Sequence, residues 1–195
     1  MVDASAPARS SGPPELARDV LIRCKALDPI AFRAFVVRYQ RPVFAVLSRM
    51  LGRGPHVEDL AQEAFLRAFR AFPAFDVDAP AKPSTWILTI ATRLALDSRK
   101  RRVLAILPIE AAETESSETT PHTEHARSEL RTSIAHATAQ LPDDQRAVFV
   151  LAEFHGLTMA EIAEALDVAE ATVKTRLHRA RTKLQQRLTA HREEP

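Results

Sequence analysis

The sequence predicts an all-α protein made of two small helical domains joined by a flexible acidic linker. Three observations carry this. Apolar residues recur at spacings of three and four through most of the chain, and the strict alternation of a half-buried strand finds little support anywhere. Helix-start chemistry stands at the head of several of these stretches, as Asp28-Pro29, Leu141-Pro142-Asp143-Asp144 and Thr158-x-x-Glu161. Between the two helical halves, residues 103–126 hold Pro, Thr, Ser and Glu, with no Lys or Arg and little apolar content beyond Ile106-Leu107-Pro108-Ile109. The expected divisions are a leader at 1–14, a first domain at 15–102, a linker at 103–126 and a second domain at 127–190.

The elements follow in order. Residues 1–14 are mostly Ala, Ser, Pro and Gly, which cannot offset chain entropy, so the leader is expected to be disordered. Asp28 reads as an N-cap and Pro29 as the first helical residue, ahead of Phe32, Phe35 and Val36. Pro42 is expected to open a further helix with Val43, Val46, Leu47 and Met50 on one face, ended by Gly52-Arg53-Gly54-Pro55. Val57, Leu60, Ala61, Ala64, Phe65, Ala68 and Phe72 form the stripe of a third helix, which stops near Pro73. A loop over residues 75–83 precedes a helix from about Ser84 to Arg101, with Ile87, Ile90, Ala91, Leu94 and Ala95 inward. Helical periodicity resumes near Ala126, and Asp143 and Asp144 favour the first turn of the helix after Pro142.

The last of these stretches carries the sharpest pattern. Thr158 and Glu161 form a capping box directly before Ile162, Ala163 and Leu166. After a short break at Asp167-Val168, Val173, Leu177, Ala180, Leu184 and Leu188 fall on one side of a second helix. At about 100 degrees per residue, Ala171, Lys174, Thr175, His178, Arg179 and Thr182 fall on the other. A short helix, a tight turn and a longer helix with a basic outer face make a helix-turn-helix, whose second helix fits the DNA major groove. Asp167 stands where such turns often have Gly, and Asp tolerates the left-handed backbone better than most residues.

Composition narrows the function further. Net charge is only +2, but the basic residues are concentrated in Arg99-Lys100-Arg101-Arg102 and in the helix from Lys174 to Arg192, so two modules are each expected to meet a polyanion. Four glycines, with Val57 where a dinucleotide fingerprint needs its third, exclude phosphate-cradling loops. One cysteine, Cys24, excludes an intrachain disulfide or a thiolate-rich zinc site. No run approaches the roughly 18 apolar residues of a membrane span, so no membrane insertion is expected. Without a secretory leader, cytoplasmic residence is the default. His122-Thr-Glu-His125 lies in the linker without helix-borne zinc spacing, and no Ser/His/Asp arrangement has a structural context; neither an enzyme nor a cofactor is expected.

Two segments now add specificity. They are Asp59-Leu60-Ala61-Gln62-Glu63-Ala64-Phe65-Leu66-Arg67-Ala68-Phe69, and Thr85-Trp86-Ile87-Leu88-Thr89-Ile90-Ala91 with Leu94-Ala95-Leu96-Asp97 and the basic tail. Together with Gly156-Leu157-Thr158-Met159-Ala160-Glu161-Ile162-Ala163 and Thr172-Val173-Lys174-Thr175-Arg176-Leu177-His178-Arg179-Ala180-Arg181, the chain resembles bacterial RNA polymerase sigma factors of the extracytoplasmic-function group, which keep only regions two and four.

The resemblance implies that Asp59, Gln62, Glu63, Leu66, Arg67, Phe69 and Arg70 dock on the clamp helices of the polymerase β′ subunit. It also implies that Trp86, Arg93, Arg99, Lys100, Arg101 and Arg102 meet the minus-ten element of promoter DNA, where unstacked bases need a new stacking surface. Arg93 departs from the family, which commonly has Asn there. The minus-thirty-five candidates are Ala171, Thr172, Lys174, Thr175, Arg176, His178, Arg179 and Arg181. Members of the group are commonly held by an anti-sigma factor, which is the third expected partner. The rival reading is a helix-turn-helix regulator that binds duplex DNA without core polymerase; it accounts for Thr158 to Arg181 but not for the Asp59 helix or the segment from Phe75 to Arg102.

Overall fold

A computed structural model of the chain describes residues 15–79, 81–104 and 122–193. The leader and most of the expected linker lie outside the described residues. Among those described there are eight α-helices and no strand.

Helix α1 (Arg18–Lys25) leads through a tight turn into α2 (Pro29–Leu51). The cap is as the sequence predicts: the Asp28 carboxylate accepts the Ile30 and Ala31 amides at 2.8 and 3.2 Å. The Arg23 guanidinium, hydrogen-bonded to Asp28, holds that carboxyl below its usual range. Pro42 does not open a helix. It lies inside α2, which runs unbroken for 23 residues. The reason is the apolar stripe, for Phe35, Tyr39, Val43, Val46, Leu47 and Met50 are all buried along one side, and interrupting the helix would pull half of them off the core. Each such side chain contributes about 1.5–3 kcal/mol by burial, comparable to the roughly 3 kcal/mol penalty of an interior proline.

Gly52, at φ 82, ends α2 in a backbone region that favours glycine. Helix α3 (Pro55–Ala71) presents Ala61, Ala64 and Ala68, small residues that let it lie close to α2 and α4 (Pro83–Leu104). A single 3₁₀ turn, Phe72–Ala74, then carries Phe72 and Phe75 inward. Trp86 joins them, with ring centroids 5.0 Å from Phe72, 4.7 Å from Phe75 and 6.2 Å from Phe35.

The second half begins at α5 (His122–Ala139), a few residues earlier than the periodicity predicts, so His122 and His125 open a helix rather than sit in the linker. Helix α6 (Asp143–Phe149) widens into a π turn (Val150–Phe154), followed by α7 (Met159–Leu166) and α8 (Glu170–Glu193). Ala147, Val148, Val150 and Leu151 face Val173, Leu177, Ala180 and Leu184 in a second buried layer.

The two halves touch. Helix α4 packs on α6 and α7, and α2 packs on α5, α6 and the π turn. Arg146 is the joint between them. Only 3% exposed, it donates to the carbonyls of Thr138, Ala139 and Leu141 at the α5–α6 turn and, at 2.8 Å, to Met50 at the end of α2. Burial and the neighbouring Arg99 push its guanidinium down to about 10. Its partners are carbonyls in the last turns of α2 and α5 and in the turn that follows α5, where the helical ladder no longer takes up every acceptor.

Candidate nucleic-acid interface

The helix-turn-helix forms as the sequence requires. Thr158 Oγ1 accepts the Glu161 amide at 3.2 Å, and Glu161 Oε2 accepts the Thr158 amide at 2.8 Å, which closes the capping box. Burial pushes the Glu161 carboxyl up, but the hydrogen bonds from the Thr158 amide and hydroxyl and from Thr85 outweigh it, so the carboxyl sits below its ordinary value. At the other end Asp167 adopts φ 54 and ψ 53, the left-handed conformation. The Val168 amide then reaches back to Ala163 O at 3.0 Å, satisfying a carbonyl at the helix end and fixing the angle at which α8 departs.

On α8 the exposed strip is Ala171, Lys174, Thr175, His178 and Arg179. The Lys174, His178 and Arg179 side chains are exposed, and their donors face solvent along one side. Other sequence candidates on this helix are otherwise engaged. Arg176 is half-buried and pairs with Asp144 at 3.1 Å. Arg181 forks onto Glu153 at 2.5 and 2.9 Å. Thr172 is half-buried in the first turn, beside the Ala169 carbonyl that accepts its amide.

The α4 face departs further from expectation. Trp86 is half-buried within the aromatic cluster and supports the core instead of offering an open stacking platform, because its ring packs against Phe35, Phe72 and Phe75. Arg93 turns to the second half, donating from Nε to Ala165 O at 2.8 Å and from Nη2 to Glu164 O at 3.3 Å. Arg99 pairs with Asp143 and donates to Met50 O at 3.3 Å. Lys100 and Arg101 remain exposed, whereas the Arg102 side chain lies outside the described residues.

On α3, Asp59, Gln62, Leu66, Arg67 and Arg70 are exposed, Leu66 by 50%. Glu63 pairs with Arg67 at 2.7 Å, and that hydrogen bond lowers its carboxyl below the ordinary range. Phe69 differs from the expected open position. It is half-buried, edge-on to Phe32 at 4.9 Å, so at most its rim is offered to a partner.

Several residues were not singled out from sequence. Thr85 Oγ1 donates to Glu161 Oε1 at 3.1 Å, and the Arg49 guanidinium lies 4.1 Å over the Phe154 ring. His155 follows Phe154, its Nε2 buried without a protein partner; burial, reinforced by the Arg49 charge, pushes the imidazole down to about 4. The only sequence signal for Arg146 is a charge set beside the apolar run Ala147-Val148-Phe149-Val150-Leu151. Cys24 is fully buried, and burial raises its thiol to about 11.

Comparison with known proteins bears on these faces. The model of sigma-70 region 2 matches residues 35–103, and that of sigma-70 region 4 matches residues 131–184. The chain is 36% identical over 171 residues to the ECF RNA polymerase sigma factor SigW of Bacillus subtilis, covering 83% of this chain and 90% of that protein. It is 34% identical over 179 residues to the ECF RNA polymerase sigma-E factor of Escherichia coli K12, covering 86% and 92%. Among solved structures it is similar to CnrH in complex with the cytosolic domain of CnrY, with a TM-score of 0.63 and 26% identity over 89% of this chain and 97% of that one. The fold is also that of the sigma factor RpoE bound to the anti-sigma factor NepR from Bartonella quintana, with a TM-score of 0.65 and 21% identity over 81% and 96%. With both regions present in order and curated relatives matched over most of their length, the chain belongs to the sigma-70 family as an ECF RNA polymerase sigma factor, and that family is one of regulatory proteins.

Proposed function

We propose that this sigma factor divides promoter recognition among three of its helices. Helix α3 docks on the β′ clamp helices through Asp59, Gln62, Glu63, Leu66, Arg67 and Arg70, an exposed strip that mixes charge with one large apolar side chain, as transient interfaces do. Helix α4 meets the minus-ten element through Arg93, Arg99, Lys100 and Arg101. Helix α8 enters the major groove at the minus-thirty-five element with Lys174, Thr175, His178 and Arg179. The carrying observation is the α8 strip: cationic, with the Lys174, His178 and Arg179 side chains exposed, and aimed by a capped α7 and the left-handed Asp167 turn.

The work is that of the polymerase's own compartment, the cytoplasm. An anti-sigma factor is the proposed antagonist, by analogy with RpoE, seen with the anti-sigma factor NepR, and with CnrH, seen with the cytosolic domain of CnrY. The test is a mobility shift on genomic promoter fragments retained by core polymerase plus this chain. The expected result is stable binding only when core is present. Equally stable binding by the chain alone overturns the reading in favour of a regulator that acts without core.

A further inference from the structure

Two ion pairs border the bare strip of α8, one on each side. At about 100 degrees per residue, Arg176 and Arg181 stand about 140 degrees apart around the helix, each between the strip and the apolar stripe that faces α6. Arg176 pairs with Asp144 at 3.1 Å, and Arg181 donates from Nε and Nη2 to Glu153 Oε1 at 2.9 and 2.5 Å. Neither guanidinium is covered, since the two side chains are 27% and 60% exposed; their charge is met rather than hidden. One stretch of backbone supplies both carboxylates, Asp144 from the first turn of α6 and Glu153 from the π turn that extends it. Residues nine apart on a regular α-helix, as these are, point to opposite sides, about 180 degrees from one another. The π turn holds an extra residue, which swings Glu153 back by about 100 degrees, so both acids reach the same helix.

A helix seated in the major groove has the phosphates of the two strands along its two borders. An unpaired arginine there grips the backbone of any sequence, because phosphate contacts carry no base information. An arginine already neutralised by a carboxylate must first lose that partner, and it adds little counterion release. We propose that Asp144 and Glu153 are specificity determinants of the α8 face. They withhold two sequence-blind phosphate contacts, so that Lys174, Thr175, His178 and Arg179 decide where the helix settles. The penalty they impose falls mostly on wrong sites. On random DNA the helix is free to shift until an arginine meets a phosphate, whereas base contacts fix its seat on the correct element.

The role of the two carboxylates rests on the assignment of α8 to DNA. In the test, the full chain is titrated onto a random-sequence duplex of about 20 base pairs over a series of salt concentrations, read by fluorescence anisotropy. Asp144→Asn and Glu153→Gln each free one arginine at nearly unchanged shape. Each is expected to steepen the salt dependence by about one and to tighten binding about five- to tenfold at about 0.1 M salt. Asp19→Asn, which changes the net charge equally at an exposed position of α1, is expected to change neither. In an Arg176→Ala background, Asp144→Asn is expected to add nothing, because the carboxylate acts through that arginine. With core polymerase present, the preference for a retained promoter fragment over the random duplex is expected to fall about fivefold in the double variant.

Circular dichroism checks that the helices persist, and Asp144→Glu and Glu153→Asp, which keep the charge, are expected to bind as the parent does. Unchanged salt dependence in the folded variants, with Lys174→Ala still flattening it, overturns the role of the carboxylates and leaves α8 on DNA. A preference for promoter that survives in the double variant overturns it as well. Salt dependence that Lys174→Ala and Arg179→Ala do not move either shows that α8 is not the DNA face, and the role falls with its premise.

Discussion

Helices α4 and α8 are of similar length and each carries a run of basic residues, yet they spend that charge differently. On α4, Arg93 and Arg99 are bound to acceptors in the other half of the chain. On α8, Arg176 and Arg181 are bound within the second half, but Lys174, His178 and Arg179 point to solvent. The difference follows from which side of each helix the core claims. The apolar stripe of α8 packs on α6 and leaves the opposite side bare, whereas α4 is gripped by α2 and α3 on one side and by α7 on another. A cationic helix thus keeps its donors free only where no neighbour offers it carbonyls or carboxylates.

The largest effect that breaks this comparison comes from the joint. Arg146→Ala takes a donor from carbonyls of both halves, leaving Met50 O only the longer Arg99 hydrogen bond, and opens a cavity; it is expected to cost about 3–5 kcal/mol, read as a fall in the midpoint of chemical unfolding. A loss below about 1 kcal/mol would show that the halves hold together without it.

Next come the open cations of α8. Lys174→Ala or Arg179→Ala in the polymerase complex is expected to cost about 1–3 kcal/mol at one base pair for a guanine contact, or to reduce the salt slope by about one for a phosphate contact. Arg181→Ala, whose charge is already met by Glu153, should change both much less. Equal effects at Arg179 and Arg181 would erase the distinction drawn between free and engaged cations.

The third concerns pH. His155 is held neutral with its pKa near 4, against about 6.5 in an unfolded chain. Between those values the unfolded state binds the additional proton, so the contribution is complete above about pH 6.5 and is lost as pH falls towards 4, by at most about 1.4 kcal/mol per unit. Stability measured across this window should slope less in His155→Gln than in the parent. The smallest effect is at the α7 cap, where Thr158→Ala is expected to lower stability by about 1 kcal/mol.

Local chemistry was legible in the sequence, and long-range pairing was not. The Asp28 cap, the Thr158–Glu161 box, the left-handed Asp167 and both faces of α8 each depend on residues within a few positions of one another, so spacing alone reveals them. Pro42 misleads because a proline's local preference for helix starts is overridden by a buried stripe running past it on both sides. Trp86 and Phe69 sit at helical positions whose partners, Phe35, Phe72, Phe75 and Phe32, come from other elements. Arg93, Arg99 and Arg146 were visible as charges, but the acceptors that tie the halves together lie 72, 49 and 96 residues away and are mostly backbone carbonyls, which every residue carries and no pattern marks.

The most direct measurement is transcription in vitro by core RNA polymerase supplied with this chain, on sheared DNA from its own source, followed by sequencing of transcript 5′ ends. Discrete start sites that share paired upstream elements, and vanish when the chain is omitted, are the predicted result. Initiation that is the same with and without the chain would contradict the account.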